Sequence, residues 1–290
     1  LFEARQDGLY AKVNGEWRKW FVVGANWRPV GYGNIGTGMI SSYADSIDRE
    51  LVEMQAVGIQ KIRVCLLDDG RNLDRGYSDF HQDIKTLLDL ATKHNIKVEF
   101  CLFDYLAFSR EHDAIFRNPV ARTKFVQTFL IPLAKDVSGH TGFFGFDLGN
   151  EYEWIVDKSV PGGWGDKIDK PFNQTEFVGY IREFSKAIKE VSPKILVTLG
   201  VSIKHYPLAE LVSKYLDYYS WHYYPWMGDL KGWVRLIPKN KPWVLGEYPT
   251  TQTSINTVGY QDIVLDAKGT GTDMWRWSGG ELDEWTATGE

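Results

Sequence analysis

Eight short apolar runs recur along the chain: FVVGAN (21–26), IQKIRVCLL (59–67), IKVEFCLF (96–103), FFGFDLGN (143–150), KILVTLGV (194–201), LDYYSWHY (216–223), PWVLGEY (242–248) and TDMWRWS (272–278). Each has strand length and is close to continuously apolar, the pattern of strands covered on both faces. Between them lie segments whose apolar residues recur three and four apart, at 45–58, 79–95, 119–137 and 174–192. That spacing predicts helices, with Gly58 and Asn95 as stop signals. Shorter helices are predicted near 207–215, 229–237 and 256–267. Strands alternating with helices predict a parallel sheet wrapped by helices. Eight such units fit an α/β chain folded as a (β/α)8, or TIM, barrel; a doubly wound open sheet uses the same units in another order. Ahead of the first strand, LYAKVNGEWRKW places Asn14-Gly15 between short alternating runs and predicts a β-hairpin. With no linker, low-complexity tract or charge block, residues 1–290 read as one domain.

The connections are asymmetric. Returns from helix to strand are short: Gly58, His94-Asn95 and Ser192-Pro193. Segments leaving strands are long, at 27–43, 104–118 and 151–173. In such barrels the strand-exit face carries the functional site, and its long loops supply substrate contacts. Two glutamates stand on that face. Glu151 ends the fourth predicted strand and Glu247, in VLGEYP, ends the seventh. Two carboxyl groups facing one pocket suit glycosidic bond cleavage, where one gives a proton to the leaving oxygen and the other attacks the sugar carbon. A strand-end glutamate can also simply cap a helix or meet an arginine, so the pair carries the reading rather than either residue alone.

Composition narrows the field further. At 43% hydrophobic and 24% charged residues, the 290-residue chain is of globular type, long enough to bury a core without staples. A net charge of −5 weighs against nucleic acid and anionic membranes as partners. No apolar run reaches the ~20 residues of a spanning helix. No signal peptide opens the sequence, so a mature secreted or periplasmic fragment is expected, with a cytoplasmic protein as the alternative. Cys65 and Cys101 are too few for a disulfide scaffold and read as buried thiols on neighbouring strands. Asn173-Gln174-Thr175 fits a glycosylation sequon, a short pattern that also arises by chance.

The residues around the glutamates resemble glycoside hydrolase family 5 and its relatives in the clan of (β/α)8 retaining glycosidases. In that clan an Asn-Glu pair ends the fourth strand and a Glu the seventh, here Asn150-Glu151 and Glu247. An Arg on the second strand is matched by Arg63, and His-x-Tyr on the sixth by His222-Tyr223-Tyr224. A Trp at the end of the eighth is matched by Trp277 or Trp275. The likeness runs from the first strand to the eighth. It departs at the third, where family 5 usually carries a His and this chain reads CLFDYLAF. Either Asp104 or Tyr105 takes that place, or the chain belongs to a sister family. The resemblance implies that Glu151 is the proton donor and later base, and that Glu247 is the nucleophile, kept ionised by Arg63 and the Tyr224 hydroxyl. It implies that Asn150 bonds the hydroxyl beside the reacting carbon and that His222 orients the acid or binds substrate.

The 12 tryptophans fit a sugar site, because the apolar face of a sugar ring stacks on an indole. Trp27, Trp154, Trp226 and Trp277 follow or end strands on the exit face, with Trp164 and Trp233 in later segments; Trp20 and Trp243 read as core. Trp277 is expected beneath the cleaved sugar, with Trp275 as the second choice. GYGNIG (31–36) has dinucleotide-binding spacing, but Trp27-Arg28-Pro29 separates it from the strand and no helix follows directly, so it reads as a loop. The six histidines lack metal-binding spacing and there is no G-x-S-x-G, so neither a metal, another cofactor nor a serine nucleophile is expected. The expectation is a monomeric retaining β-glycosidase, endo-acting on a polysaccharide of β-mannan or β-glucan type. An exo-glycosidase, a transglycosylase and a non-catalytic carbohydrate-binding barrel are the alternatives.

Overall fold

The computed structural model describes residues 1–28, 35–67, 76–105, 114–165, 170–250, 253–278 and 281–282. Three short strands, β1 (Phe2–Arg5), β2 (Gly8–Val13) and β3 (Glu16–Lys19), form an antiparallel sheet. The Asn14-Gly15 turn joins the last two, both residues taking positive φ, so the predicted hairpin is present and gains β1 as an extra strand. Eight parallel strands follow: β4 (Val22–Trp27), β5 (Lys61–Cys65), β6 (Lys97–Cys101), β7 (Phe143–Asn150), β8 (Leu196–Ser202), β9 (Tyr219–His222), β10 (Trp243–Pro249) and β11 (Gly271–Ser278). They pair in chain order, and β10 also pairs with β11, which closes the ring. The barrel, not the open sheet, is the fold. A two-residue strand, β12 (Glu281–Leu282), adds antiparallel to β11.

The helices bury the faces their spacing marks. In α2 (Ala44–Ala56), which follows the short α1 (Met39–Ser42), Ile47, Leu51 and Met54 turn inward; in α3 (Tyr77–Lys93), Phe80, Ile84, Leu87, Leu88 and Ala91 do so. Gly58 and Asn95 end the two with left-handed backbone, as C-terminal stop residues do. The predicted helix at 119–137 is not regular. After α4 (Ala114–Arg117) it runs as α5 (Pro119–Phe125), a π turn (Val126–Leu130) and α6 (Ile131–Val137). Pro132 has no N–H for the carbonyl four residues back and its ring would strike it, which the widened turn relieves. Asn173 of the sequon caps α7 (Gln174–Val191), accepting from the Glu176 N–H at 3.0 Å. Shorter helices α8 (Tyr206–Leu211), α9 (Leu230–Leu236) and α10 (Thr257–Asp266) complete the described set.

Inside the ring, side chains stack in layers. At the strand-entry end, Val22, Phe144, Leu196, Tyr218 and Val244 pack against Leu9, Phe2 and Trp20, so the N-terminal sheet plugs the bottom. Above them the filling is ionic rather than the branched aliphatic filling usual in such barrels. Lys61 pairs with Glu99 and, at 2.7 Å, with Asp273, all three buried. Gly24 makes room for this layer, since a Cβ there would lie 2.0 Å from Asp273 Oδ1. One layer higher sits Arg63, which leads directly to the mouth.

Candidate active site

Arg63 uses its whole guanidinium fork. Nε and Nη2 donate to Asp147 Oδ2 at 2.8 and 2.7 Å, Nη1 to Asn26 Oδ1 at 2.8 Å and Glu247 Oε1 at 3.0 Å, and Nη2 also to Asn150 Oδ1 at 2.9 Å. The cation therefore ties β4, β7 and β10 together below the mouth. A Cβ at residue 200 would fall 2.9 Å from both Arg63 Nη2 and Asp147 Oδ2, so glycine is required beside the pair. Breaking a buried pair of this sort costs about 3–5 kcal/mol, because the remaining charge is stranded.

Above Arg63 stand the two glutamates. Glu247 is lifted into the mouth by a register shift in β10 between Leu245 and Glu247, a bulge that re-aims the side chain. Its carboxylate accepts from Arg63 and, at 2.8 Å, from the Tyr224 hydroxyl. Glu151 follows β7 directly with φ 50° and ψ 46°. A left-handed backbone is uncommon away from glycine, and its N–H is held by the Gly200 carbonyl at 2.8 Å. Its carboxylate accepts from the Trp154 indole N–H at 3.0 Å. His222 Nδ1 lies between the two acids, 3.1 Å from Glu151 Oε1 and 3.4 Å from Glu247 Oε1. One oxygen of each glutamate and a His222 nitrogen lie within 4.8 Å of one another. That spacing would also suit a metal ion, but the Arg63 cation already holds Glu247 and opposes a second positive charge there.

Burial drives the titration of all three groups. It pulls His222 down to about 4, so the imidazole is neutral near pH 7. It raises Glu151 above the ordinary carboxylate range, with the Trp154 N–H and Arg63 opposing. It raises Glu247 too, against His222, Arg63 and the Tyr224 hydroxyl. Two acids this close do not ionise together easily, so one proton is shared over an intermediate pH range. The donors decide where it rests: Glu247 has a cation and a hydroxyl in direct contact, Glu151 only an indole and a shared imidazole. These contacts favour the proton on Glu151. Behind it, Glu153 is wholly buried and pushed well above its usual range, first by burial and then by the neighbouring Glu151 carboxyl whenever that group is ionised.

No family profile and no curated protein sequence matches the chain. Solved structures do. The β-mannanase of blue mussel, Mytilus edulis, superposes with a TM-score of 0.78 at 20% identity, over 98% of this chain and 92% of that one. The β-1,4-mannanase of the sea hare Aplysia kurodai gives 0.76 at 22% identity, over 95% and 92%. The endo-1,4-β-mannanase of Eisenia fetida gives 0.77 at 22% identity, over 96% and 89%. The chain has the fold of these mannanases.

The remaining expected site residues divide. Asn150 lies against Arg63, and its amide donates to Asp104 Oδ2 at 2.8 Å, which brings Asp104, just beyond β6, into the cleft. Tyr105 stands beside Trp154, ring centres 6.4 Å apart. Trp275 lines the cleft over Arg63 together with Asn26, Asp104 and Asn150. Trp277 is only 5% exposed and packs with the core. Trp27 borders the same cleft but points the other way: Asn26 faces the barrel axis, so its neighbour faces out, and the Trp27 indole donates to Glu50 on α2 at 2.9 Å. Trp154 stacks on Trp164 at 4.5 Å, and Trp164 on His205 at 5.3 Å. Lys204 Nζ lies 5.4 Å from the Trp164 ring and 6.0 Å from that of the half-exposed Trp226. Trp233 donates to the Met227 carbonyl at 2.8 Å beside α9, while Trp20 bonds Gln60 and Trp243 is buried, both as core. Of GYGNIG, residues 31–34 lie outside the described residues. The Gly36 and Gly38 N–H groups donate to the Asp83 carboxylate, so those donors hold a carboxylate of the chain itself.

Sequence reasoning passed over Asn26, Asp147, Glu153 and the Lys61 layer. Asp147 carried a usable signal: an acid inside the otherwise apolar run FFGFDLGN calls for a cation on a facing strand, and Arg63 sits in just such a run.

Proposed function

We propose that the chain is one catalytic domain of a retaining β-glycoside hydrolase, working by double displacement on a β-linked polysaccharide. The observation that carries this is the Glu151–His222–Glu247 cluster, with oxygens of both acids inside 4.8 Å of one nitrogen and of each other. Retaining enzymes hold their carboxyl groups about 5–5.5 Å apart, whereas inverting ones leave ~6.5–9.5 Å for a water. Glu247, ionised and anchored by Arg63 and Tyr224, attacks the anomeric carbon. Glu151, protonated, gives its proton to the departing oxygen. The resulting glycosyl ester on Glu247 is hydrolysed by a water that Glu151, now a base, activates. Asn150 keeps a second amide N–H beyond its bond to Asp104 for the hydroxyl next to the reacting carbon. His222, neutral, orients the Glu151 carboxyl.

The substrate reading is β-1,4-mannan cut internally. It rests on the shared fold with mannanases and on the Trp154–Trp164–Trp226 side of the mouth, where successive sugars of a polymer would stack. A polymer does not cross a membrane, so the enzyme acts secreted or in a periplasm; among the described residues no helix is long and apolar enough to span one. The test is incubation with β-mannan, β-glucan and aryl β-glycosides, alongside Glu247→Ala with added azide. Release of internal manno-oligosaccharides, and an inverted glycosyl azide from the variant, support the proposal. Release of monosaccharide alone points to exo action, transfer to added sugars to a transglycosylase, and binding without turnover defeats the hydrolase reading.

A further inference from the structure

Cys65 and Cys101 form a pair that the glycosidase chemistry does not use. They are opposite each other in the parallel register of β5 and β6, and neither is in a disulfide. Cys65 shares the parity of Arg63, two residues before it on β5, which sets the cysteine pair on the axis side of the barrel, and both residues line the cleft with Arg63, Asp104 and Asn150. Cys101 is sealed on its other sides, its Sγ 3.5 Å from Arg63 Nη2 and 3.5 Å from the Phe103 carbonyl. Cys65 is half-buried and gives the pair its opening to the cleft.

Residues opposite each other on paired strands keep side chains about 4.8 Å apart, the strand spacing. A disulfide wants its Cβ atoms closer, at about 3.5–4.5 Å, so the register does not favour one. A bridging ion suits it better: two sulfurs bound at ~2.3 Å in tetrahedral array stand about 3.8 Å apart. We infer that Cys65 and Cys101 form a thiophilic site in the cleft that takes one soft divalent cation of the Zn2+ or Cd2+ class. Binding exchanges two thiol protons for the cation, leaving a neutral dithiolate complex. Neutrality matters beside Arg63, which would repel an uncompensated ion. Water completes the coordination around the two thiolates. An ion held there stands beside Arg63 and Asn150, where the sugar's neighbouring hydroxyl would bind, so occupancy should stop turnover.

CdCl2 titrated into the whole reduced chain tests this by calorimetry and by ultraviolet sulfur-to-cadmium absorption. One ion per chain, sulfur absorption and release of two protons are expected, with affinity weakening as pH falls. Cys65→Ser and Cys101→Ser should each abolish the absorption, and thermal melts together with Cys65→Ala control for misfolding. Phenylarsine oxide, which closes on paired thiols with loss of water, should add once and be removed by a dithiol but not by a monothiol. Cadmium bound without sulfur absorption, binding unchanged in Cys65→Ser, or binding lost only in Glu247→Gln would overturn the inference. None of these readings depends on whether the chain cleaves a glycoside.

Discussion

Tyr224→Phe isolates one contact of the nucleophile. The substitution removes a single O–H donor, 2.8 Å from Glu247 Oε2, and leaves the ring and the Arg63 bond in place. A hydrogen bond to a charged acceptor contributes about 1.5–3 kcal/mol. At 1.36 kcal/mol per pKa unit, losing it makes Glu247 harder to ionise and raises its pKa by about 1–2, on top of the rise that burial already causes. The sign is set by the proposed role: Glu247 acts ionised, so the acid limb of kcat/KM against pH must move to higher pH by that amount. Because the acids titrate as a pair, that limb reports the first ionisation of the pair. The assay is an aryl β-mannoside with a good leaving group, for which protonation by Glu151 matters least. On the acid side of the limb the variant loses about tenfold in rate for each pH step of one by which the limb has moved. An acid limb that stays still or moves down would refute the assignment of Tyr224 and the ionised role of Glu247 together.

Other outcomes follow from the same geometry. Glu151→Gln should slow substrates with poor leaving groups by about 10²–10⁴ while barely affecting activated aryl glycosides, measured as paired kcat/KM values; equal slowing would contradict proton donation. His222 is held neutral, its pKa depressed to about 4, so its contribution to stability is complete above its unfolded value near 6.5 and is lost as pH falls through 4. That window is worth about 3 kcal/mol, and denaturant unfolding between pH 7 and 4 should show a shallower decline in His222→Gln. Trp226→Ala should lower kcat/KM on mannan by about 2- to 10-fold through a lost stacking contact of ~0.5–1.5 kcal/mol, with no change on a short aryl mannoside.

The barrel and both acids were legible because their signals are local. Buried parallel strands advertise themselves as apolar runs, and two glutamates ending such runs on one face point to a shared pocket where either alone would not. What stayed hidden depends on direction and partnership. Trp27 and Asn26 are neighbours, and only the pleat decides that Asn26 meets Arg63 while Trp27 meets Glu50. Trp275 and Trp277 share a parity, and a register shift between them sets Trp275 opposite Asn26 on the cleft and Trp277 opposite Trp27 in the core. The break at Val126–Leu130 was written in Pro132, which apolar spacing alone overlooks. Asp104 could be placed in the cleft only once its bond to Asn150 was seen, since that contact joins residues 46 apart in sequence.

The most direct measurement of the central claim is the identity of the residue that carries sugar during turnover. A 2-fluoro mannosyl fluoride slows the second step and lets the intermediate accumulate for peptide mass spectrometry. A single glycosyl ester on Glu247, absent from Glu247→Gln, is what this account predicts. A stable complex with no covalent adduct, or an adduct on Glu151, would contradict it.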